Sequence, residues 1–89
     1  MISVLKRNGT QVPFDKAKIV SAINKAFLDV DGCLYETDTA IDIANDIEKY
    51  YANKENISIE QIQDKVEEFL MRSERPDVAR AYIRYRYKR

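Results

Sequence analysis

An α+β fold, in which an N-terminal β-hairpin and a short third strand pack against a four-helix bundle, is predicted by three features of this sequence. Asn8-Gly9 stands between two short apolar runs, a strong hairpin signal. Four later stretches carry apolar residues three and four apart, the period of a helix face. At the start of the third of them, "ISI" at 57–59 sets two β-branched isoleucines around a serine and is suited to a short edge strand beside the hairpin. The expected elements are a hairpin over about 2–14 and helices over about 15–30, 38–52, 59–72 and 76–88, in one domain spanning 1–89.

In the hairpin, Ile2, Val4 and Leu5 belong to one strand and Val12 and Phe14 to the other. A two-residue type I′ turn at Asn8-Gly9 needs φ > 0 at both positions and places Leu5 opposite Val12. Pro13 has no N–H to donate and weakens continuation of the second strand. Asp15 then reads as a helix N-cap, because its carboxylate can accept from the free N–H groups of a first turn. Ile19, Ile23, Ala26, Phe27 and Val30 share one face of that helix, and Asp31-Gly32 closes it.

The second helix is expected to start near Thr37 or Asp38 and to bury Ala40, Ile43, Ala44, Ile47 and Tyr51, with Asp42, Asp46, Glu48 and Lys49 in water. Ser58 with Gln61 three residues later forms a capping-box pattern for the third helix, whose core face is Ile59, Ile62, Val66, Phe69 and Leu70. Pro76 suits the first turn of the fourth.

Composition narrows the function. A chain of 89 residues has a single small core and only a few kcal/mol of net stability, so a bound ligand should raise its stability visibly. With 45% apolar and 34% charged residues, two Gly and two Pro, long disorder is not expected. The sequence shows no signal peptide and no apolar run near the roughly 18 residues of a membrane span, so a cytoplasmic protein without a membrane partner is expected. One cysteine, Cys33, and no histidine leave no disulfide framework, no Cys-rich zinc site and no Ser-His or Cys-His nucleophile. Cys33 reads as a semi-buried loop residue, and the acids of the middle helices as outward-facing and unpartnered. No catalytic residue and no protein-held metal are therefore expected.

The zero net charge conceals a distribution. Residues 1–28 carry five cations against one acid, residues 29–68 three against twelve, and residues 69–89 seven against two. Basic ends that met in the fold would form a local positive site, while the acidic middle would repel a long phosphate chain.

Lys16 and Lys18 fall in the first turn of the first helix, where the macrodipole is already positive. Either both point to water, or an anion docks at the helix end and reverses the sign. Lys6 and Arg7 precede the hairpin turn, with strand alternation sending them to opposite sides of a phosphate, the Arg as a planar fork and the Lys as a movable charge. On the last helix Arg80, Arg84 and Lys88 share a face, Val78, Tyr82 and Tyr85 another, and Ala79, Ile83 and Arg86 a third. Solvated arginines and core-packing tyrosines account for most of these, but Arg86 continues an apolar stripe and is directed toward a ligand. No glycine-rich phosphate loop is present, so side chains would have to hold a nucleotide.

"VLKRNGTQVPFDKAKIVSAINKAF" resembles the opening of the ATP-cone, and "ISIEQIQDKVEEFL" and "VARAYIRYRYKR" resemble its third and fourth helices. "VPFDKAKI" and "ARAYIRYRYKR" are most similar to the cone at the N-terminus of anaerobic (class III) ribonucleoside-triphosphate reductases. The resemblance implies a regulatory domain without catalysis of its own, sensing ATP or dATP with Mg²⁺ and controlling a reductase allosterically through oligomerisation. Its implied partners are the nucleotide, the reductase catalytic domain of a parent chain and further copies of itself. Carried over by position, Lys6 and Arg7 would meet the triphosphate and Lys18 the nucleotide beside the helix start. Val12 and Asp15 would border the adenine, and Ile59 and Gln63 would lie over base and ribose. Arg86, with Lys88 or Arg89, would reach the phosphates. Some cones carry an acid at the place of Val12, a Thr at that of Ile59 and a His or Asp at that of Gln63; these departures shift base recognition toward backbone contacts and apolar packing. The readings that compete are a single-strand nucleic-acid module using the basic ends and tyrosines, a repressor-type module built on the same cone, and a cone that has lost its ligand.

Overall fold

The computed structural model describes residues 2–32, 38–73 and 75–87. Its elements are β1 Ser3–Leu5, β2 Gln11–Pro13, α1 Lys16–Asp31, α2 Asp38–Tyr50, β3 Asn56–Ser58, α3 Ile59–Arg72 and α4 Pro76–Tyr87. This is the predicted α+β arrangement of a three-stranded sheet with four helices. The strand order is β2-β1-β3, β1 pairing antiparallel with β2 and parallel with β3.

The hairpin register differs from the expectation by one residue. Val4, not Leu5, lies opposite Val12, and Leu5 opposes Gln11. The Lys6 N–H donates to the Thr10 carbonyl at 2.8 Å and the Gly9 N–H to the Lys6 carbonyl at 3.0 Å, so the loop holds three residues, Arg7, Asn8 and Gly9. Gly9 takes φ +86°, while the Asn8 side-chain oxygen accepts the Thr10 N–H at 3.0 Å. A turn closed by a left-handed glycine is the three-residue alternative to the type I′ hairpin. Because side chains alternate, the shift exchanges faces: Val4 is buried and Leu5 is largely exposed.

The caps act as their residue types dictate. The Asp15 carboxylate accepts from the Ala17 N–H, and Gly32, at φ +75°, donates its N–H to the Leu28 carbonyl. Ser58 and Gln61 make both bonds of the capping box. That cap ends β3 at Ser58, so the strand runs over 56–58 rather than 57–59, and Ile57 lies beside Val4 at the sheet's centre. Pro76 opens α4. Thr37 and Cys33 lie outside the described residues.

The core lies between the sheet and the helices, with α1 packed on α2 and α4, and α3 on α2 and α4. Ile23, Ile47, Val66, Leu70 and Val78 are its fully buried large side chains, one or two from each helix. Burying such a side chain contributes about 1.5–3 kcal/mol, so these five fix the helix packing that positions everything below. Tyr51 falls just past α2 but remains buried, its hydroxyl donating to the Gln61 carbonyl at 3.3 Å.

Candidate functional site

The sheet meets the helices around a cleft of about 690 Å³, within the range of small-molecule sites. Val4, Lys6, Arg7 and Val12 wall it from the hairpin, followed by Phe14 and Asp15 at the entry to α1. Lys18, Ala22 and Lys25 supply a stripe of α1 at spacings of four and three, one helix face. Ile59 and Gln63 come from the first turns of α3, and Tyr82, Tyr85 and Arg86 from the end of α4. Lys6 shares the strand parity of Val4, and the observed register sets Val12 opposite Val4, so the three stand in one wall of the cleft.

The cations around the cleft are not equivalent. Among the described residues, the ammonium groups of Lys6 and Lys18 have no ion pair or hydrogen bond, while Lys25 rests 5.7 Å over the Tyr85 ring. Lys16 turns the other way: its Nζ donates to Asn45 Oδ1 at 3.1 Å and pairs with Glu48 Oε1 at 3.2 Å on α2. The two lysines of the first turn therefore divide, one bound to a neighbouring helix and one facing the cleft. No acid lies in that first turn, so the positive end of the helix dipole and Lys18 act together on the cleft, opposed there by the capping carboxylate of Asp15.

The expectation that the acids of the middle helices lack partners is corrected. Glu60 Oε1 accepts Arg7 Nε at 2.9 Å, and Asp64 and Glu67 both accept Arg86 Nη1 at 2.9 Å. Asp29 pairs with Arg84 and Asp31 with Arg75. The basic ends of the chain meet its acidic middle because α3 and the C-terminal part of α1 pack beside them. Arg86 is only 6% exposed, and its Nε has no acceptor among the described residues. Burial opposes its charge, but the Asp64 and Glu67 carboxylates outweigh that and raise its pKa.

Of the residues assigned to a ligand from the sequence, Lys6, Arg7, Val12 and Asp15 come together with Lys18, Ile59, Gln63 and Arg86 around this single cleft. Lys88 and Arg89 lie outside the described residues. Lys25 and Tyr85 were not assigned, although Lys25 is seven residues beyond Lys18 and helical spacing marks it. Tyr82 packs in the core as expected, whereas Tyr85 and Tyr87 are exposed. The lining mixes aliphatic and aromatic surface with the ammonium groups of Lys6, Lys18 and Lys25, which suits a ligand that has both an apolar and an anionic part. Among the described residues no group of three or more potential metal ligands occurs.

A family model described as "ATP cone domain" matches residues 2–89. The chain is 44% identical over 97% of its length to a vitamin B12-dependent ribonucleoside-diphosphate reductase of Thermoplasma acidophilum. It is 38% identical, again over 97% of its length, to an anaerobic ribonucleoside-triphosphate reductase of Haemophilus influenzae. A ribonucleoside-diphosphate reductase subunit alpha of Chlamydia pneumoniae is 36% identical over the whole chain. The chain spans 12% of the length of the first two relatives and 9% of the third.

Proposed function

The chain belongs to the ATP-cone family, and from that premise we propose that it is a nucleotide-sensing regulatory domain of a ribonucleotide reductase, binding ATP or dATP with Mg²⁺ in the hairpin cleft. The observation that carries this reading is that Lys6 and Lys18, whose ammonium groups have no partner among the described residues, line one cleft at the start of α1. Both lysines are exposed, so solvent screens their mutual repulsion, and an oligophosphate docked between them supplies the charge-assisted contacts that the protein itself does not give their ammonium groups.

In this arrangement Lys6, Arg7 and Lys18 hold the phosphates, a role that the family resemblance extends to Lys88 or Arg89. Val12, Asp15 and Ile59 border the base, and Gln63 lies at the ribose. Arg86 adds positive potential from the wall, its charge already shared with Asp64 and Glu67. ATP and dATP differ by one hydroxyl, which a mainly apolar pocket discriminates by no more than about 10²-fold. Regulation then rests on two bound arrangements that favour different assemblies, each nucleotide shifting the balance only by its differential affinity for them. The domain acts on the reductase catalytic domain and forms homo-oligomers when nucleotide is bound.

Thermal unfolding with ATP or dATP and Mg²⁺ tests the reading. A ligand at 100 times its Kd stabilises by about 2.7 kcal/mol, which raises Tm by roughly 10–20 °C in a domain of this size. Lys6→Ala, Arg7→Ala and Lys18→Ala each remove most of that shift. An unchanged melting curve at millimolar nucleotide overturns the proposal. Tight oligonucleotide binding that collapses with added salt would instead favour the nucleic-acid reading.

A further inference from the structure

Arg7 and Arg86 both line the cleft and both hold carboxylates of α3, but they hold them differently. Arg86 is 6% exposed and bonded to two acids, whereas Arg7 and Glu60 have side chains 55% and 46% exposed and share one bond of 2.9 Å. A second, longer bond of 3.4 Å runs from Arg7 Nη2 to Gln63 Oε1, one turn along α3. Exposed pairs of this kind contribute little and exchange readily, while a guanidinium prefers a phosphate that can accept two of its N–H groups and carries more charge. Glu60 sits in the first turn of α3, where the helix dipole favours a carboxylate whether or not Arg7 is present. It therefore loses little when the arginine leaves.

We propose that Glu60 is a resident counter-anion of the cleft: its carboxylate occupies Arg7 until an oligophosphate ligand takes the guanidinium over. Binding exchanges the Arg7–Glu60 pair for an Arg7–phosphate pair, so Glu60 lowers the affinity. It also undocks the hairpin loop from α3, giving occupancy a structural consequence at the start of that helix. Lys6 and Lys18 are the standing phosphate grips, Arg7 is the exchanged one, and Arg86 stays clamped. Glu60 is a positioning residue that acts through Arg7, and its role rests on the nucleotide-binding reading above.

Titration calorimetry at fixed ionic strength, with ATP–Mg²⁺ and with inorganic tripolyphosphate, tests this on the whole chain. Glu60→Gln is expected to tighten both probes about two- to fivefold, the range set by an exposed ion pair. In an Arg7→Ala background the same substitution is expected to change nothing, because the interaction it removes is already gone. Glu55→Gln, which removes an acid that pairs with no cation among the described residues, reports any general effect of lost negative charge and is expected to leave affinity unchanged. Equal or weaker binding by Glu60→Gln overturns the proposal, as does tightening that persists without Arg7 or that Glu55→Gln reproduces. Failure of the parent chain to bind either probe overturns the nucleotide reading and this inference with it; binding by the parent without the Glu60 effect overturns this inference alone.

Discussion

Val4 lies directly opposite Val12 in the β1–β2 ladder, and this register requires Gly9 to close a three-residue loop at φ +86°. A side chain at Gly9 would meet nothing within 4 Å, so any cost of adding one is backbone strain and not collision. A left-handed L-residue costs roughly 1–2 kcal/mol, and Asn tolerates the region better than Ala. Gly9→Ala is therefore expected to lower stability by about 1 kcal/mol and Tm by roughly 4–8 °C, with Gly9→Asn falling between it and the parent. Thermal denaturation followed by circular dichroism checks this, and equal stability of Gly9→Ala would show that the loop does not need the left-handed residue.

Lys16 and Lys18 occupy the same helical turn but opposite surroundings. Lys16 is held by Asn45 and Glu48 on α2, so Lys16→Ala is expected to leave nucleotide affinity within about twofold while removing an exposed pair worth at most about 1 kcal/mol. Lys18→Ala is expected to weaken ATP binding at least about tenfold, or 1.4 kcal/mol, with little effect on stability, since its ammonium has no partner to lose among the described residues. Calorimetric titration of the two variants side by side separates a cleft residue from a neighbour of similar charge. Matching losses would place both lysines at the ligand.

How legible each feature was in the sequence follows from its range. Asp15, Ser58 and Pro76 act within one turn of themselves, and each caps or opens the helix its residue type announces. The hairpin register was not legible, because Asn8-Gly9 fits the tip of a two-residue or a three-residue loop. The choice falls to whether Val4 or Leu5 meets the helices, two adjacent apolar residues that pattern alone cannot rank. The cleft's cations could be named from the misfit of lysines at a helix N-terminus, but their pairing could not. Which of Lys16 and Lys18 is free depends on where α2 packs, and which acids reach Arg7 and Arg86 depends on the rotation of α3. Those are tertiary facts without a local signature.

Arg86 ties α4 to α3, so its removal should register in stability whatever its part in binding. Arg86→Met keeps much of the side-chain volume but strands Glu67, whose carboxylate is 23% exposed, while Asp64 at 69% returns to water. Stranding a buried charge costs several kcal/mol and an exposed one almost nothing, so a loss of about 2–3 kcal/mol is expected. Asp64→Asn should cost less than about 1 kcal/mol, because Glu67 retains the guanidinium. Urea denaturation with an unchanged m-value measures both. A larger effect from Asp64→Asn than from Arg86→Met would mean that the clamp is not built as its exposures indicate.

Two groups make the stability of the fold depend on pH, one at each end of the range. The Asp77 carboxyl accepts Arg75 Nε at 3.1 Å and the Val78 N–H at 2.9 Å, and the arginine bond above all holds it below its ordinary 3.8. A depressed carboxylate stabilises the fold above its unfolded pKa and stops doing so as pH falls through the lower folded value. At the other limit, burial pushes the Tyr51 phenol above 10.0, against the opposing pull of Lys65. A raised phenol stabilises below pH 10 and loses that contribution as pH rises through the folded value. Asp77→Asn is therefore expected to be less stable than the parent at neutral pH, with the gap narrowing below about pH 4 as the parent loses its charge. Tyr51→Phe, which forfeits the hydroxyl bond to Gln61, should likewise start below the parent and close on it above about pH 10, where only the parent has a phenol to ionise. Urea midpoints across pH 2–11 test both arms. A gap that stays constant through either end would remove the corresponding group from the account of pH stability.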